Sequence, residues 1–417
     1  MVDERLVEEY HSRTAASRHI PSRIVWWDET LRDGEQTPGV HFSPEEKLRI
    51  AELLSEIGVP LIDAGIPVVS EEEARAVRRL ASAGLKADIL ASARTVLRDV
   101  DAVIASGVKH IAVFVAASSV HLRYKLKMTP DQVVAASTAS IRRAKEAGLH
   151  VAFVTEDTVR APLDFVERLY RAALEAGADR LVVADTVGIM TPLTFRWFLD
   201  EFQRRLHAPD LSVHCHNDFG LATANTLTAL EAGVVSPHVC VNGLGERAGN
   251  ASLEEVVMLL ESVYQVPTGI QTERLYALSQ LVEELSGVPV PPNKALVGYN
   301  SFSHEAGIHT HGILANTLTY EPLQPELVGR KREMILGKHT GTAALVEKLK
   351  ERGITPTDTQ LLALLEQIKV NAEHRTKEEL SRFLREYRAR FEHPGLSDHD
   401  FWAMVDALQI VPSGRSR

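Results

Sequence analysis

The chain has 417 residues, 45% hydrophobic and 24% charged, which is ordinary globular composition and enough length for more than one domain. A formal charge of −10 argues against nucleic acid as a main partner, since proteins that track phosphate carry a basic excess. Two cysteines, Cys215 and Cys240, are too few for a disulfide framework and fit a reducing cytoplasm, and no run of about eighteen apolar residues is present to span a bilayer.

In chain order, the acidic start with Asp3, Glu4, Glu8 and Glu9 lacks the character of a signal peptide. Then a unit recurs: amphipathic helix, glycine, short β-branched run. The runs are 23–27, 60–66, 87–91, 110–116, 150–155, 180–184, 211–215 and 237–241, giving eight strands. The helical patterns include 43–57 (Ser43 as N-cap, Pro44 at the first helical position), 129–147, 162–176 and 191–206. Gly58, Gly84, Gly107, Gly148, Gly177 and Gly233 stand where a helix end calls for a left-handed residue. Eightfold alternation predicts an α/β fold, a closed (β/α)₈ TIM barrel. An open doubly wound sheet would carry a glycine-rich turn after its first strand, and Asp28-Glu-Thr-Leu-Arg-Asp-Gly-Glu-Gln is not one.

The barrel makes a second expectation possible, because catalytic groups belong at the C-terminal strand ends. Asp28, Arg94, Glu156-Asp157, Asp185-Thr186, His216-Asn217-Asp218 and the loop 242–250 all follow predicted strands. His214 and His216, two apart on a strand, share one face and aim at a common point, while Cys215 between them turns into packing. Two neutral imidazoles with a carboxylate make a site for a divalent metal, and Asp28 at the end of the first strand is the carboxylate expected there. Trp26 and Trp27 read as core strand residues, and Cys240 as a small buried group.

Beyond the barrel, 270–285 reads as one more helix and 288–293 as a proline-rich linker. A glycine- and histidine-rich stretch covers 298–341, the tail 356–408 is mostly helical, and 413–417 is expected to fray. The expected organisation is an N-terminal extension 1–21, a catalytic barrel 22–287, a subdomain 288–345 contributing to the active site, and a helical C-terminal region 346–417.

Three segments, Asp28-Glu-Thr-Leu-Arg-Asp-Gly-Glu-Gln-Thr-Pro-Gly, His214-Cys-His-Asn-Asp and Gly243-Leu-Gly-Glu-Arg-Ala-Gly-Asn, closely resemble the DRE-TIM metallolyase superfamily. With Asn300-Ser-Phe-Ser-His-Glu-Ala-Gly-Ile-His and Gly337-Lys-His-Thr-Gly, the chain looks like the Claisen-condensing branch, which holds the homocitrate, 2-isopropylmalate and citramalate synthases. The resemblance implies an acyltransferase that joins acetyl-CoA to the keto carbon of a 2-oxo acid and releases CoA. It implies a divalent metal (Mn2+, Mg2+, Zn2+ or Co2+) on Asp28, His214, His216 and Asn250. It places Arg32 beside the keto oxygen, Arg160 and Thr186 on the substrate, and Glu156, His309 and Tyr320 among the groups that handle the methyl proton; Gln36 and Arg94 at the rim are expected on the substrate as well. In the family the last two reach the site from a neighbouring subunit, so a homodimer with a shared active site is implied, with no membrane partner. One departure stands out: relatives commonly place Thr or Ser after the arginine of Glu-Asp-x-x-Arg, and this chain has Ala161.

Bland alternatives accompany these roles. Of Glu156 and Asp157, the second suits helix capping better; Arg32 and Arg160 could be ordinary ion-pair or solvated side chains. Glu246 and Arg247 could simply pair across their loop. Two of His304, His309 and His311 are expected to be scaffold. The post-barrel segment looks most like the compact homocitrate-synthase type, and Arg94, Arg123, Lys125 and Lys127 could meet a second anion. An anionic 2-oxo acid is therefore expected: 2-oxoglutarate, or an oxaloacetate or phosphonopyruvate analogue. Isopropylmalate or citramalate synthesis is the alternative. The chain is too short past the linker helices for the feedback domain of the large isopropylmalate synthases, so leucine-type allostery is not expected. A 3-hydroxyacyl-CoA lyase would carry a cysteine in the loop 243–250, which has none. A biotin-dependent carboxyltransferase would need a modified lysine at a strand end, and a non-catalytic metal-binding barrel would release no CoA.

Overall fold

The computed structural model describes residues 19–206, 210–374, 377–392 and 394–410. The acidic start and the expected frayed end at 413–417 lie outside the described residues. Eight parallel strands close a barrel in sequence order: β1 (Trp27–Asp28), β2 (Leu61–Asp63), β3 (Asp88–Arg94), β4 (His110–Ala116), β5 (His150–Glu156), β6 (Arg180–Asp185), β7 (Leu211–Cys215) and β8 (Ser236–Val239). Closure is made by β1 pairing with both neighbours, Trp27 against Leu61 on one side and His238 on the other. Each predicted strand is present. β1 and β2 are shorter than their apolar runs, because Arg23–Trp26 and Ala64–Ile66 run outside the ladder.

The barrel helices are α1 (Pro44–Ile57), α2 (Glu71–Ser82), α3 (Leu97–Ala105), α4 (Pro130–Glu146), α5 (Leu163–Glu175), α6 (Pro192–Leu206), α7 (Ala222–Glu231) and α8 (Leu253–Met258). Ser43 caps α1 in a capping box with Glu46, and Thr129 caps α4 with Gln132, each arrangement worth about 1 kcal/mol. All six glycines expected to end helices adopt positive φ.

Side chains alternate along each strand, and this parity decides what reaches the site. Trp27, Leu61, Leu90, Ala112, Ala152 and Val182 form one apolar cluster inside the barrel. Their strand neighbours Trp26, Ile62, Ile89, Ala91, Ile111, Val113, Val151, Phe153, Leu181 and Val183 belong to the larger core between sheet and helices. Two residues beyond the inner cluster, the inward positions are polar on β1, β2 and β3 (Glu29, Asp63 and Ser92) and apolar on β4, β5 and β6 (Phe114, Val154 and Ala184), while His214 and His238 line the cavity from β7 and β8. Trp27 and His238 lie ring against ring at 4.0 Å, the tryptophan closing the floor below the histidine. Cys215 and Cys240 are both buried and free, Cys215 turned into the outer core between the two inward histidines as alternation requires.

The described chain falls into two compact units, one of residues up to His304 with His309–Met334, the other of Glu305–Ile308 with the chain from Ile335 onward. The span 288–345, expected to be one subdomain, is thus divided between them. In the first unit α9 (Leu275–Ser286) follows the barrel, and β9 (Ser303–His304) pairs in parallel with β10 (Glu333–Met334). Glu321 ties this segment together, accepting from Arg332 Nε at 2.6 Å and lying 3.0 Å from His304 Nε2. Between the two strands runs α10 (Gly307–Ala315). The second unit carries α11 (Thr342–Lys350), α12 (Asp358–His374), α13 (Glu378–Glu392) and α14 (Asp398–Ala407), in agreement with the helical tail read from the sequence.

Candidate active site

A cavity of about 610 Å³ opens at the C-terminal mouth of the barrel. Its lining includes Arg32, Asp33, Gln36, Glu156, Thr186, His214 and His216, with Ile66, Phe114 and Val154 among the apolar walls. Among the described residues, Asp33, His214 and His216 bring ligand atoms within 4.8 Å of one another, and so do Glu29, His214 and His238. In the first group His214 Nε2 lies 3.0 Å from His216 Nε2 and 3.9 Å from Asp33 Oδ2. Ligands bonded at about 2.1 Å to one cation sit about 3.0–3.4 Å apart, so the two imidazoles are already spaced as a ligand pair.

The donor chemistry agrees. Burial pushes the His214 imidazole well below its ordinary value and lowers that of His216, so both offer neutral rings. Burial alone would raise the Asp33 carboxyl, but the Arg32 guanidinium beside it and the Asn250 amide overcome this and hold Asp33 well below the usual carboxylate range. Around the Arg32 guanidinium stand three carboxylates: Glu29, Asp33 at 3.0 Å and Asp63 at 3.4 Å. His214 Nδ1, His216 Nδ1 and Asn250 Oδ1 are all buried without a hydrogen-bond partner.

Asp28, expected as the metal carboxylate, is elsewhere. Since Trp27 and Glu29 point into the barrel, Asp28 between them points out, where it accepts from Thr30 N at 2.9 Å and Thr30 Oγ1 at 3.0 Å. The acid that joins the two histidines is Asp33, delivered by the loop after β1. Asn250, expected as a further ligand, donates its Nδ2 to Asp33 and, at 3.0 Å, to the Leu244 carbonyl; as placed it positions Asp33. Gly245 makes this possible: at φ +153° a Cβ there would lie 2.2 Å from Asn250 Nδ2.

Burial raises the Asp28 carboxyl to about 7, against an ordinary 3.8. The folded protein therefore takes up a proton between these values, and stability falls as pH rises through that window. Relative to wild type, Asp28→Asn should gain stability steadily from pH 4 to 7 and stay level above, as read by thermal melts. A difference that does not change with pH would contradict the placement of Asp28.

Four other expected site residues are not in the lining of this cavity. Arg94 pairs with Asp99, Nε to Oδ2 at 2.5 Å, which absorbs the cation expected to meet substrate. Arg160 gives its Nε to Asp157 Oδ1 at 2.7 Å. Ala161 after it is buried in the outer core, so no hydroxyl faces the cavity from that position. His309 and Tyr320 stack on each other with ring centroids 4.1 Å apart.

The rim is organised by pairs that sequence spacing does not reveal. Glu156 accepts from Lys125 Nζ at 2.6 and 2.7 Å, and His121 Nε2 lies 3.3 Å away. The other His121 nitrogen is 2.9 Å from Asp157 Oδ2, while Asp157 Oδ1 accepts from Arg160 and the Asp157 backbone N–H donates to the Thr186 hydroxyl. Arg247 reaches past Glu246 to Asp218, at 2.8 and 2.9 Å, and to the Thr186 carbonyl at 2.7 Å, clamping three loops together.

The HMGL-like family profile matches residues 23–282, and that of the homocitrate synthase post-HMGL domain matches residues 296–376. A 2-isopropylmalate synthase of Methanocaldococcus jannaschii is 49% identical over 354 residues, 85% of this chain and 68% of the relative. Homocitrate synthase AksA of Methanopyrus kandleri is 48% identical over 382 residues, 90% of this chain and 96% of the relative. The chain belongs to the HMGL-like family. Within that family it falls in the Claisen-condensing branch, where these synthases lie. The HMG-CoA lyase of Bacillus subtilis shares the HMGL-like barrel at 24% identity, with a TM-score of 0.59 over 65% of this chain and 96% of the lyase. That likeness is one of fold.

In this HMGL-like barrel Asp33, Glu29, Asp63, His238 and His121 belong to the site and escaped the sequence reading. Parity on β1 could have found Glu29, since an apolar Trp27 inside the barrel puts residue 29 inside as well. His121 carries no such signal, because its partners Glu156 and Asp157 arrive from another strand end.

Proposed function

We propose that the protein condenses acetyl-CoA with a 2-oxo acid and releases CoA, using a divalent cation (Mn2+, Mg2+, Zn2+ or Co2+) held by Asp33, His214 and His216. The observation that carries this reading is the convergence of those three side chains beside Arg32 in a cavity at the catalytic end of the barrel. The cation supplies Lewis-acid polarisation of a carbonyl oxygen. Arg32 presents a second positive group to that oxygen as it takes on charge, and its buried carboxylate partners fix its direction. Gln36 and Thr186 line the same cavity and can hold the 2-oxo acid's carboxylate. Glu156 lines the cavity and is none of the proposed metal ligands, and we assign it the proton of the acyl-CoA methyl. His309 and Tyr320 serve the cavity of a second copy, so the working unit is a homodimer. Two cysteines, both buried and free, suit a cytoplasmic enzyme. No helix among the described residues is long and apolar enough to cross a membrane.

For the substrate, Lys125 in the lining supports an acid with a second anion, of the 2-oxoglutarate, oxaloacetate or phosphonopyruvate kind, as in a homocitrate-type synthase. The apolar wall of Ile66, Ala112, Phe114, Val154 and Ala184 favours a second reading, a short branched or methyl side chain as in isopropylmalate or citramalate synthesis. Thiol release from acetyl-CoA, measured with those three acids, 2-oxoisovalerate and pyruvate, separates them. The expected result is metal-dependent release with an anionic acid. Release with the apolar acids alone selects the second reading, and release with none removes the proposed reaction.

A further inference from the structure

Beneath the proposed metal ligands, the acid that pairs with Arg32 also faces two histidines. Glu29 is 1% exposed, on the inward face one position past β1. Its Oε1 is 2.6 Å from His238 Nδ1, and its Oε2 is 3.8 Å from His214 Nδ1 and paired with Arg32. An ionised carboxylate only accepts, so each ring nitrogen facing it is favoured as N–H. A ligating imidazole is neutral and has one such proton. With the proton on Nδ1, His214 presents its Nε2 lone pair toward Asp33 and His216, the direction the proposed cation requires. His238 is itself held by the Trp27 ring at 4.0 Å and its centroid is 5.5 Å from that of His214, so it backs the carboxylate from the other side.

We propose that Glu29 is a positioning residue that fixes the Nδ1–H tautomer and ring orientation of His214, with His238 as its second anchor. About 1 Å of ring movement brings His214 Nδ1 to hydrogen-bond distance. This inference rests on the reading that Asp33, His214 and His216 take the cation. Outer carboxylates of this kind change metal affinity about 10–100-fold.

The test is Mn2+ titration by calorimetry on the full chain, wild type against Glu29→Gln, which keeps the shape and removes the charge. Expected are one ion per chain for both proteins and an affinity about 10–100-fold weaker in the variant. A variant that binds as tightly as wild type overturns the inference, whereas a wild type that binds no ion overturns the metal reading beneath it. Two ions per chain in wild type and one in the variant would make Glu29 a ligand with His214 and His238, again overturning the positioning role. Nitrogen-15 imidazole spectra of the wild-type protein need no variant: a His214 proton on Nδ1 is expected, and one on Nε2 contradicts the proposal. A purely packing role would lower the melting temperature of Glu29→Gln and leave affinity and tautomer unchanged.

Discussion

Asp33→Asn is expected to weaken divalent-metal binding about 100-fold or more and to cut turnover by at least as much, while Asp28→Asn leaves both within about threefold. The contrast follows from charge and direction. Asp33 is the carboxylate that Arg32 keeps ionised and that stands beside both histidines; the amide variant removes the anion from the ligand set. Asp28 lies one residue before Glu29 with its side chain turned out of the barrel onto Thr30. Titration of each purified variant with Mn2+, alongside thiol release at saturating metal, measures both quantities. Loss of binding in Asp28→Asn with retention in Asp33→Asn would reverse the assignment.

Glu156→Gln and His309→Ala should each lower turnover about 10²–10⁴-fold, the range for loss of a positioned acid or base. Mixing the two inactive variants under conditions of subunit exchange should restore up to about a quarter of wild-type activity. In a mixed dimer one composite site then carries both substitutions and the other carries neither. The reason is geometric: Glu156 lines the cavity of its own chain, and His309, against Tyr320, does not. Solvent-deuterium exchange into the methyl of acetyl-CoA reports the proton step separately. No recovery on mixing, with exchange between subunits demonstrated, would contradict the shared site, and wild-type turnover in His309→Ala would place His309 outside the reaction.

How much of this was legible before the structure depends on the range of the interactions. The barrel is written locally: a helix, a glycine that can take positive φ, and a β-branched run, repeated until the sheet closes. The His214–His216 pair was legible for the same reason, since two residues on one strand share a face whatever surrounds them. Asp28 failed through the same rule applied one residue short. Trp27 fills the barrel interior, which sends Asp28 outward and leaves the metal carboxylate to a loop whose path no periodicity describes. Arg94 and Arg160 are rim cations in sequence, yet Asp99 and Asp157 close by on the chain pair with them first. The grouping of His121 and Lys125 around Glu156 is 31 to 35 residues long-range in sequence and arises only when β4 and β5 lie side by side.

The most direct measurement is the anomalous scattering of crystals grown with Mn2+. The expected result is one peak at about 2.0–2.4 Å from Asp33, His214 Nε2 and His216 Nε2, with Glu29 facing His214 Nδ1 from the far side. A peak bound by Asp28, or none among these three side chains at saturating Mn2+, would contradict the metal centre on which the proposed condensation rests.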